Sequence, residues 1–225
     1  MELKSIALDG PGGAGKSTLA RMAARHFKLI YVDTGALYRC VALFALRRNV
    51  GLQDEAGIVS LLPEICIEMI YDGDGVQRMI LCGDDVTDEI RSPEVSMGAS
   101  YVSAMPPVRE FLLSMQQEMA VKYDVIMDGR DIGTVVLPNA GLKVFLTAEP
   151  DVRARRRYVE LLEKNVDTTF EEVKTELMLR DKNDSERAVA PLRPSEASVI
   201  LDTTQLDLDE SLVAFCEIIT KGLYL

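Results

Sequence analysis

The feature that most constrains this chain is a glycine-rich segment near its beginning. Residues 10–17 read Gly-Pro-Gly-Gly-Ala-Gly-Lys-Ser and match the pattern G-x-x-x-x-G-K-[ST]. The apolar run at 5–8 before it predicts a buried strand, and helical spacing of apolar residues predicts a helix over 16–27. A glycine-rich turn between strand and helix points backbone N–H groups at phosphate oxygens, and the helix dipole favours the same anion. The segment is therefore interpreted as a P-loop, in which Lys16 reaches the outer phosphates and Ser17 ligates Mg²⁺.

Length and charge limit what surrounds this loop. The 225 residues, 48% of them hydrophobic, exclude a disordered or fibrous chain and predict one core domain with an insert. The net charge of −11 disfavours coating of nucleic acid or docking on anionic membranes, although a local basic pocket remains compatible with it. No export signal and no apolar run of membrane-spanning length is recognised, so we expect a cytoplasmic monomer that binds small molecules rather than nucleic acid or membrane.

Cysteine and histidine offer little material for catalysis. The four cysteines are scattered without a C-x-x-C pair, and we expect reduced, mostly buried thiols rather than disulfides or a zinc site. The single histidine, His26, is interpreted as a helix-end residue. The chemistry must therefore depend on lysine, arginine, carboxylates and backbone amides.

The hydrophobic pattern predicts an α/β fold. Five short apolar runs separated by helical stretches predict a parallel sheet of five strands with helices on both faces. These runs are 5–8, 29–32, 125–127, 144–146 and 199–201. Alternating residues and the turn signal Asp-Gly-Asp-Gly at 72–75 predict an antiparallel β insert at 64–91. The core domain would then comprise 1–63 and 92–225.

Several arginines follow predicted strands, where ligands collect in open α/β sheets. Arg39 comes after Asp-Thr-Gly at 33–35, Arg130 and Asp131 follow the strand at 125–127, and Arg109 opens a helix. A planar guanidinium binds phosphate through two parallel hydrogen bonds, so this set predicts an acceptor monophosphate. For any one of them, a solvated or ion-paired surface arginine is the alternative.

A second group of arginines comes later in the chain. One predicted helix carries three arginines on one face, at i, i+3 and i+4. The next predicted helix carries an arginine, an aspartate and an arginine at i, i+4 and i+7. They are Arg153, Arg156 and Arg157, and then Arg180, Asp184 and Arg187. We expect a mobile segment over about 152–187 whose arginines stabilise a transferred phosphoryl group and exclude water. A charged solvent face is the alternative.

Four segments together resemble the bacterial cytidylate kinase family of P-loop nucleoside monophosphate kinases. They are 9–18 (DGPGGAGKST), 33–39 (DTGALYR), 128–134 (DGRDIGT) and 187–192 (RAVAPL). The resemblance implies a three-layer α/β/α fold, an insert at 64–91 in the monophosphate-binding region and a helical lid at 152–187. It also implies a magnesium-dependent transfer from ATP to CMP or dCMP in pyrimidine nucleotide metabolism.

The resemblance also implies roles for individual residues. ATP would be held by Gly10, Pro11, Gly12, Gly13, Ala14, Gly15, Lys16, Ser17 and Thr18. The acceptor would be bound by Thr34, Tyr38, Arg39, Ser100, Arg109, Arg130, Asp131, Arg180, Asp184 and Arg187. The catalytic groups would be Lys16, Arg153, Arg157 and Arg180, and the metal ligands Ser17 and Asp33.

Other functions remain open at this stage. A GTP-hydrolysing switch is disfavoured because no N-K-x-D guanine motif and no evident water-positioning glutamine is present. The alternatives are a small P-loop kinase for another monophosphate or a hydroxylated metabolite, a nucleotide-binding regulatory module without catalysis, and an ATP-driven partner-binding protein. Preference for CMP over UMP would separate the first of these from a cytidylate kinase, because an Asp131 carboxylate would accept from the cytosine amine but face the uracil carbonyl.

Overall fold

A computed structural model describes residues 3–73 and 75–223. The chain divides into two compact units. Unit 1 combines the residues up to Tyr31 with those from Tyr123 onward, and unit 2 is Val32–Lys122. The two units are described separately below.

The helices and strands alternate through most of the chain. The strands are β1 Ser5–Asp9, β2 Ile30–Asp33, β3 Ile67–Tyr71, β4 Gln77–Leu81, β5 Asp84–Asp85, β6 Val125–Gly129, β7 Leu142–Thr147 and β8 Val199–Asp202. The helices are α1 Lys16–Phe27, α2 Thr34–Arg47, α3 Glu55–Leu61, α4 Pro93–Val102, α5 Pro106–Lys122, α6 Pro150–Glu163, α7 Phe170–Glu186 and α8 Leu208–Leu223. A short π-helical turn follows β6 at Ile132–Val136.

The large sheet has five strands in the order β2-β6-β1-β7-β8, which confirms the predicted parallel sheet. Strand β1 lies at its centre, and Ile6, Ala7 and Leu8 are fully buried. A strand buried on both faces requires a helical layer on each side, which explains its unbroken apolar run. The apolar core of unit 1 joins this sheet to α1 and α8, with Leu19 and Phe215 among its buried side chains.

Unit 2 is built around α2, whose buried residues are mostly apolar. Its core joins α2 to α4, α5 and a small sheet of three strands in the order β3-β4-β5. The predicted antiparallel hairpin is confirmed, with Ile67 opposite Leu81, and β5 adds a third strand. At the predicted turn Asp72 accepts from Val76 N, whereas Asp74 lies outside the described residues.

The expectation that the cysteines are mostly buried is wrong. All four lie in the described ranges as free thiols, but only Cys40 is buried, and Cys66 and Cys82 are exposed. Cys66 immediately precedes β3 and Cys82 immediately follows β4, and Cys82 N donates to Cys66 O at 2.8 Å. Sequence spacing could not reveal this, because exposure at the end of a hairpin depends on what covers it. Across 3–73 and 75–223 no helix is both long and apolar enough to cross a membrane.

Candidate active site

The loop between β1 and α1 has the backbone that its glycines predict. Gly10 and Gly13 have φ values of 151° and 70°, which side-chain-bearing residues rarely adopt. A Cβ on Gly10 would collide with the backbone oxygen of Leu146, and one on Gly13 would lie 2.9 Å from the Arg153 oxygen. Both glycines are therefore required by backbone conformation and by close packing inside unit 1.

Lys16 is the first residue of α1, and its side chain turns back over the loop. Its Nζ donates to Gly10 O and Pro11 O, both at 2.8 Å, and the residue is 7% exposed. Burial, together with the neighbouring charge of Arg130, lowers the pKa of Lys16 to about 7. The ammonium thus lies within the curled backbone, where an anionic ligand would both pair with it and restore its ordinary pKa.

The side chains of Ser17 and Asp128 are hydrogen-bonded to each other beside the loop. Ser17 Oγ donates to Asp128 Oδ2 at 2.7 Å, and Tyr31 Oη donates to the same oxygen at 3.3 Å. Asp128 was not among the predicted metal ligands. The sequence already placed this carboxylate directly after the apolar run 125–127. The structure adds that β6, which contains it, pairs with β1. The described residues contain no cluster of three or more histidine, cysteine or acidic side chains that could hold a metal ion alone.

Asp9, at the end of β1, holds the turn after β6. Its two carboxylate oxygens accept from Ile132 N at 2.7 Å and Gly133 N at 2.8 Å. Burial raises the pKa of Asp9 to about 6 despite these two hydrogen bonds. Asp9 therefore fixes the backbone that follows Arg130 and Asp131.

Two ion pairs join this turn to the end of α7. Arg130 Nε donates to Asp184 Oδ2 at 2.8 Å, and Arg187 Nη2 donates to Asp131 Oδ1 at 3.2 Å. Burial alone would raise the pKa of Asp184, but Arg130 and the other nearby arginines outweigh it and hold the pKa below its ordinary value. Helix α7 ends at Glu186, so the predicted spacing extends one residue beyond the helix to Arg187. Arg180 lies one turn before Asp184 on α7.

The three arginines of α6 have separate environments. Arg153 is buried and donates to Gly12 O and Ala148 O at 2.8 and 2.9 Å, with an ion pair to Asp181 at 2.7 Å. Arg156 donates to Thr203 and Leu206, and Arg157 pairs with Glu160 at 2.8 Å. Each of the three thus has its own partners, and their joint action on a phosphoryl group stays a prediction. Arg153 therefore holds the backbone of the P-loop at Gly12.

In unit 2 the central group is Asp33, the N-cap of α2. Its Oδ1 accepts from Ala36 N at 3.1 Å, while its Oδ2 accepts from Arg39 at 2.7 Å and Arg91 at 3.2 Å. Gln77 binds the backbone of the same residue through Asp33 N at 2.8 Å and Asp33 O at 3.4 Å. Asp33 was predicted to be a metal ligand, but its carboxylate holds arginines and a helix end. Gln77 and Arg91 were not predicted, and no local signal marks them.

A second buried group of unit 2 contains further predicted residues. The Arg109 guanidinium lies 5.8 Å from the centre of the Tyr38 ring, and its Nη1 donates to Ser103 O at 3.2 Å. Ser103 Oγ in turn donates to Ser100 O at 2.9 Å. Thr34, at the start of α2, is also buried. The structure thus brings Tyr38, Ser100 and Arg109 into one neighbourhood.

Comparison with known proteins agrees with this arrangement. Among solved structures, a shikimate kinase from Bacteroides thetaiotaomicron aligns over 99% of both chains with a TM-score of 0.50 at 16% identity, which supports the fold alone. A cytidylate kinase from Carboxydothermus hydrogenoformans is 47% identical over 96% of this chain and 97% of its own length. One from Caldicellulosiruptor bescii is 47% identical over 98% and 97% of the two chains. The model of the family described as cytidylate kinase matches residues 6–221. With the P-loop and the arginine clusters inside the matched region, the chain belongs to the cytidylate kinase family.

Proposed function

We propose that this protein transfers the γ-phosphoryl group of ATP to CMP or dCMP, giving ADP and CDP or dCDP. The observation that carries the proposal is the match to the cytidylate kinase family over residues 6–221. Relatives of that name align over almost their whole length.

The donor nucleotide is assigned to the loop of residues 10–18, where backbone N–H groups and Lys16 bind its phosphates. Ser17 and Asp128 would hold Mg²⁺, because a hydroxyl and a carboxylate 2.7 Å apart are oxygen ligands of the kind this ion prefers. Mg²⁺ usually takes one or two protein ligands and completes its shell with phosphate oxygens and water. When bound, it neutralises charge that develops on the phosphates.

The transferred phosphoryl group is assigned to Lys16, Arg157 and Arg180. Charge spreads over its equatorial oxygens during transfer, and arginines close around it stabilise that charge. Arg153 acts indirectly by holding Gly12 O and thereby the loop. The segment 152–187 is assigned the role of a lid that excludes water, because water in the site would turn the transferase into an ATPase.

The acceptor's phosphate is assigned to Arg39 and Arg130, with Thr34 and Tyr38 beside it, and its sugar to Asp184 and Arg187. The base is assigned to Ser100 and Arg109 as donors and to Asp131 as acceptor. Cytosine matches this set, because its amine donates while N3 and O2 accept. Uracil would turn its O4 toward Asp131, and such a mismatch costs about 1–3 kcal/mol. The expected preference for CMP over UMP is therefore roughly 5- to 150-fold in kcat/KM.

A coupled assay of ADP release with CMP, dCMP, UMP, AMP, GMP and shikimate tests this function. We expect turnover with CMP and dCMP, weak turnover with UMP, background rates with the others, and loss of activity with EDTA that excess Mg²⁺ restores. Equal turnover with UMP would refute the base assignment. ADP release independent of any acceptor would refute the transferase.

We also propose that the protein acts as a monomer on small nucleotides, without a nucleic-acid or membrane partner. The net charge of −11 supports the part of this proposal that concerns nucleic acid and anionic membranes, because a strongly acidic surface repels polyanions. Light scattering after size exclusion should give a mass close to 24.9 kDa, and a stable dimer would contradict the proposal.

A further inference from the structure

The β insert of unit 2 carries two residues that act on Asp33, at the beginning of α2. We infer that Arg91 and Gln77 are positioning residues that give Arg39 the orientation needed to bind the acceptor's phosphate. The inference rests on the proposed function and deepens it by giving the insert a role. Both residues lie within 64–91, and both contact Asp33 directly.

The first observation is that one carboxylate serves two guanidinium groups. Asp33 Oδ2 lies 2.7 Å from Arg39 Nη2 and 3.2 Å from Arg91 Nη2, and its side chain is only 6% exposed. Arg91 therefore holds the same carboxylate oxygen that holds Arg39, and it does so from the insert. Without Arg91, this oxygen would lose one of the two guanidinium groups that fix it, and Arg39 would be oriented less strictly. The position of the cluster at the N-terminus of α2 adds the favourable end of a helix dipole.

The second observation concerns a donor on Arg39. Its Nε is buried and has no hydrogen-bond partner, while its Nη2 is held by Asp33. A buried donor without an acceptor costs about 1–3 kcal/mol, so Arg39 is oriented to gain most from an acceptor such as a phosphate oxygen. Gly35 contributes space, because a Cβ there would lie 3.2 Å from Arg39 Nη1. Arg39 is thus held on one side by Asp33 with a donor left over.

Gln77 fixes the backbone from which Asp33 projects. Its Oε1 accepts from Asp33 N at 2.8 Å and its Nε2 donates to Asp33 O at 3.4 Å. The residue is buried at the start of β4, so the strand pairing of the insert determines where its amide lies. A shift of the insert would therefore move Asp33 and, through it, Arg39.

The test is the substitution Arg91→Gln, assayed for the KM of CMP, the KM of ATP and the melting temperature. Asp33 keeps Arg39 as a partner, so the variant should fold. We expect the KM for CMP to rise about tenfold while the KM for ATP stays within twofold. Calorimetry should give weaker binding of CMP and unchanged binding of cytidine, which lacks the phosphate.

Arg78→Gln is the matched control, because it makes the same change of charge on the same insert. Arg78 is 42% exposed and pairs with Asp72 and Asp85 at 3.5 and 3.6 Å, away from Asp33. Its KM for CMP should remain that of the wild type. Gln77→Leu, which removes both bonds to the Asp33 backbone without changing charge, should raise the KM for CMP about threefold.

Three outcomes would overturn the inference: a wild-type KM for CMP in Arg91→Gln, an equal rise in the KM for ATP, or equal losses of CMP and cytidine binding. If Arg91→Gln does not fold, Arg91→Lys takes its place. A lysine cannot reproduce the planar fork of arginine, so we expect a threefold rise in the KM for CMP, and an unchanged value overturns the inference. Failure of the wild type to phosphorylate CMP would instead refute the proposed function.

Discussion

Units 1 and 2 pair their arginines with buried carboxylates in different ways. In unit 1, Arg130 pairs with Asp184, Arg187 with Asp131, and Arg153 with Asp181, at distances of 2.7 to 3.2 Å. In unit 2, Arg39 and Arg91 share the single carboxylate of Asp33. The same residue types thus make one-to-one hydrogen-bonded ion pairs in unit 1, whereas in unit 2 two arginines contact one carboxylate.

The difference concerns what is left behind when one arginine is removed. Breaking a one-to-one buried pair leaves a carboxylate in low dielectric without its hydrogen-bonded counter-charge, which is strongly destabilising. Removing Arg91 leaves Asp33 with Arg39 as its hydrogen-bonded counter-charge, so the folded state should lose little. We therefore expect substitutions at the pairs of unit 1 to affect stability and activity together, whereas substitution of Arg91 in unit 2 should affect binding alone.

The largest expected effect is at Lys16, whose partners are carbonyls rather than a carboxylate. Lys16→Met should lower turnover at least about 10³-fold, because a donor aimed at developing phosphate charge is lost. Stability should fall little, since the substitution removes a buried cation that lies beside the positive charge of Arg130. Steady-state kinetics and a melting curve measure the two effects.

Lys221→Met is its control, because Lys221 is 71% exposed near the end of α8 and pairs with Glu217. It should keep wild-type turnover. A Lys16→Met protein that retained a tenth of the activity would contradict the assignment of this lysine to the phosphates.

The next largest effect is expected at Arg130, which forms an ion pair with Asp184 in unit 1. Arg130→Ala should lower turnover by orders of magnitude while ATP binding survives. It should also lower the free energy of unfolding by about 3 kcal/mol, because the buried Asp184 loses its hydrogen-bonded arginine and keeps only the charges of Arg180 and Arg187 nearby. Denaturant unfolding and calorimetric titration with ATP measure these effects.

The double substitution Arg130→Ala with Asp184→Asn separates the two losses. A neutral asparagine needs no counter-charge, so stability should largely return while turnover does not. If turnover returned with stability, Arg130 would have only a structural role. If Arg91→Gln destabilised the protein as much as Arg130→Ala, the contrast between the units would disappear.

The smallest expected effect is on acid stability. Because Arg130 and its neighbours hold the pKa of Asp184 below its unfolded value of 3.8, the stabilisation from this group is complete above that pH and is lost as the pH falls through the folded pKa. Asp184→Asn should therefore be less stable than the wild type at pH 7, and the difference should narrow below about pH 4. Urea unfolding at a series of pH values measures it, with the exposed Asp209→Asn as control. A constant difference across that range would contradict the charge pairing.

The P-loop shows how much of a site can be predicted when its parts are adjacent in the chain. Residues 10–17, the strand before them and the helix after them all lie within one short segment, so spacing alone predicted their arrangement, including α1 at Lys16–Phe27. The five parallel strands were predicted for a related reason, because burial on both faces requires unbroken apolar runs.

The arginines of α6 mark where this kind of prediction ends. Spacing put Arg153, Arg156 and Arg157 on one side of the helix, but they bind Gly12, Thr203 and Glu160 respectively. The partners of long side chains depend on which helices, strands and loops pack around them. The spacing of residues along one helix contains no information about those neighbours.

The sequence by itself determined the phosphate-binding loop, the order of strands and helices along the chain, and the residues expected to meet anions. Tertiary structure decided which polar and charged groups meet. Gln77 and Arg91 reach Asp33 from 44 and 58 residues away along the chain. Ser17 is hydrogen-bonded to Asp128 rather than to Asp33. The physical reason is that backbone turns and apolar periodicity act over a few residues. Ion pairs and hydrogen bonds, in contrast, act through space, after folding has brought distant segments within about 3 Å of each other.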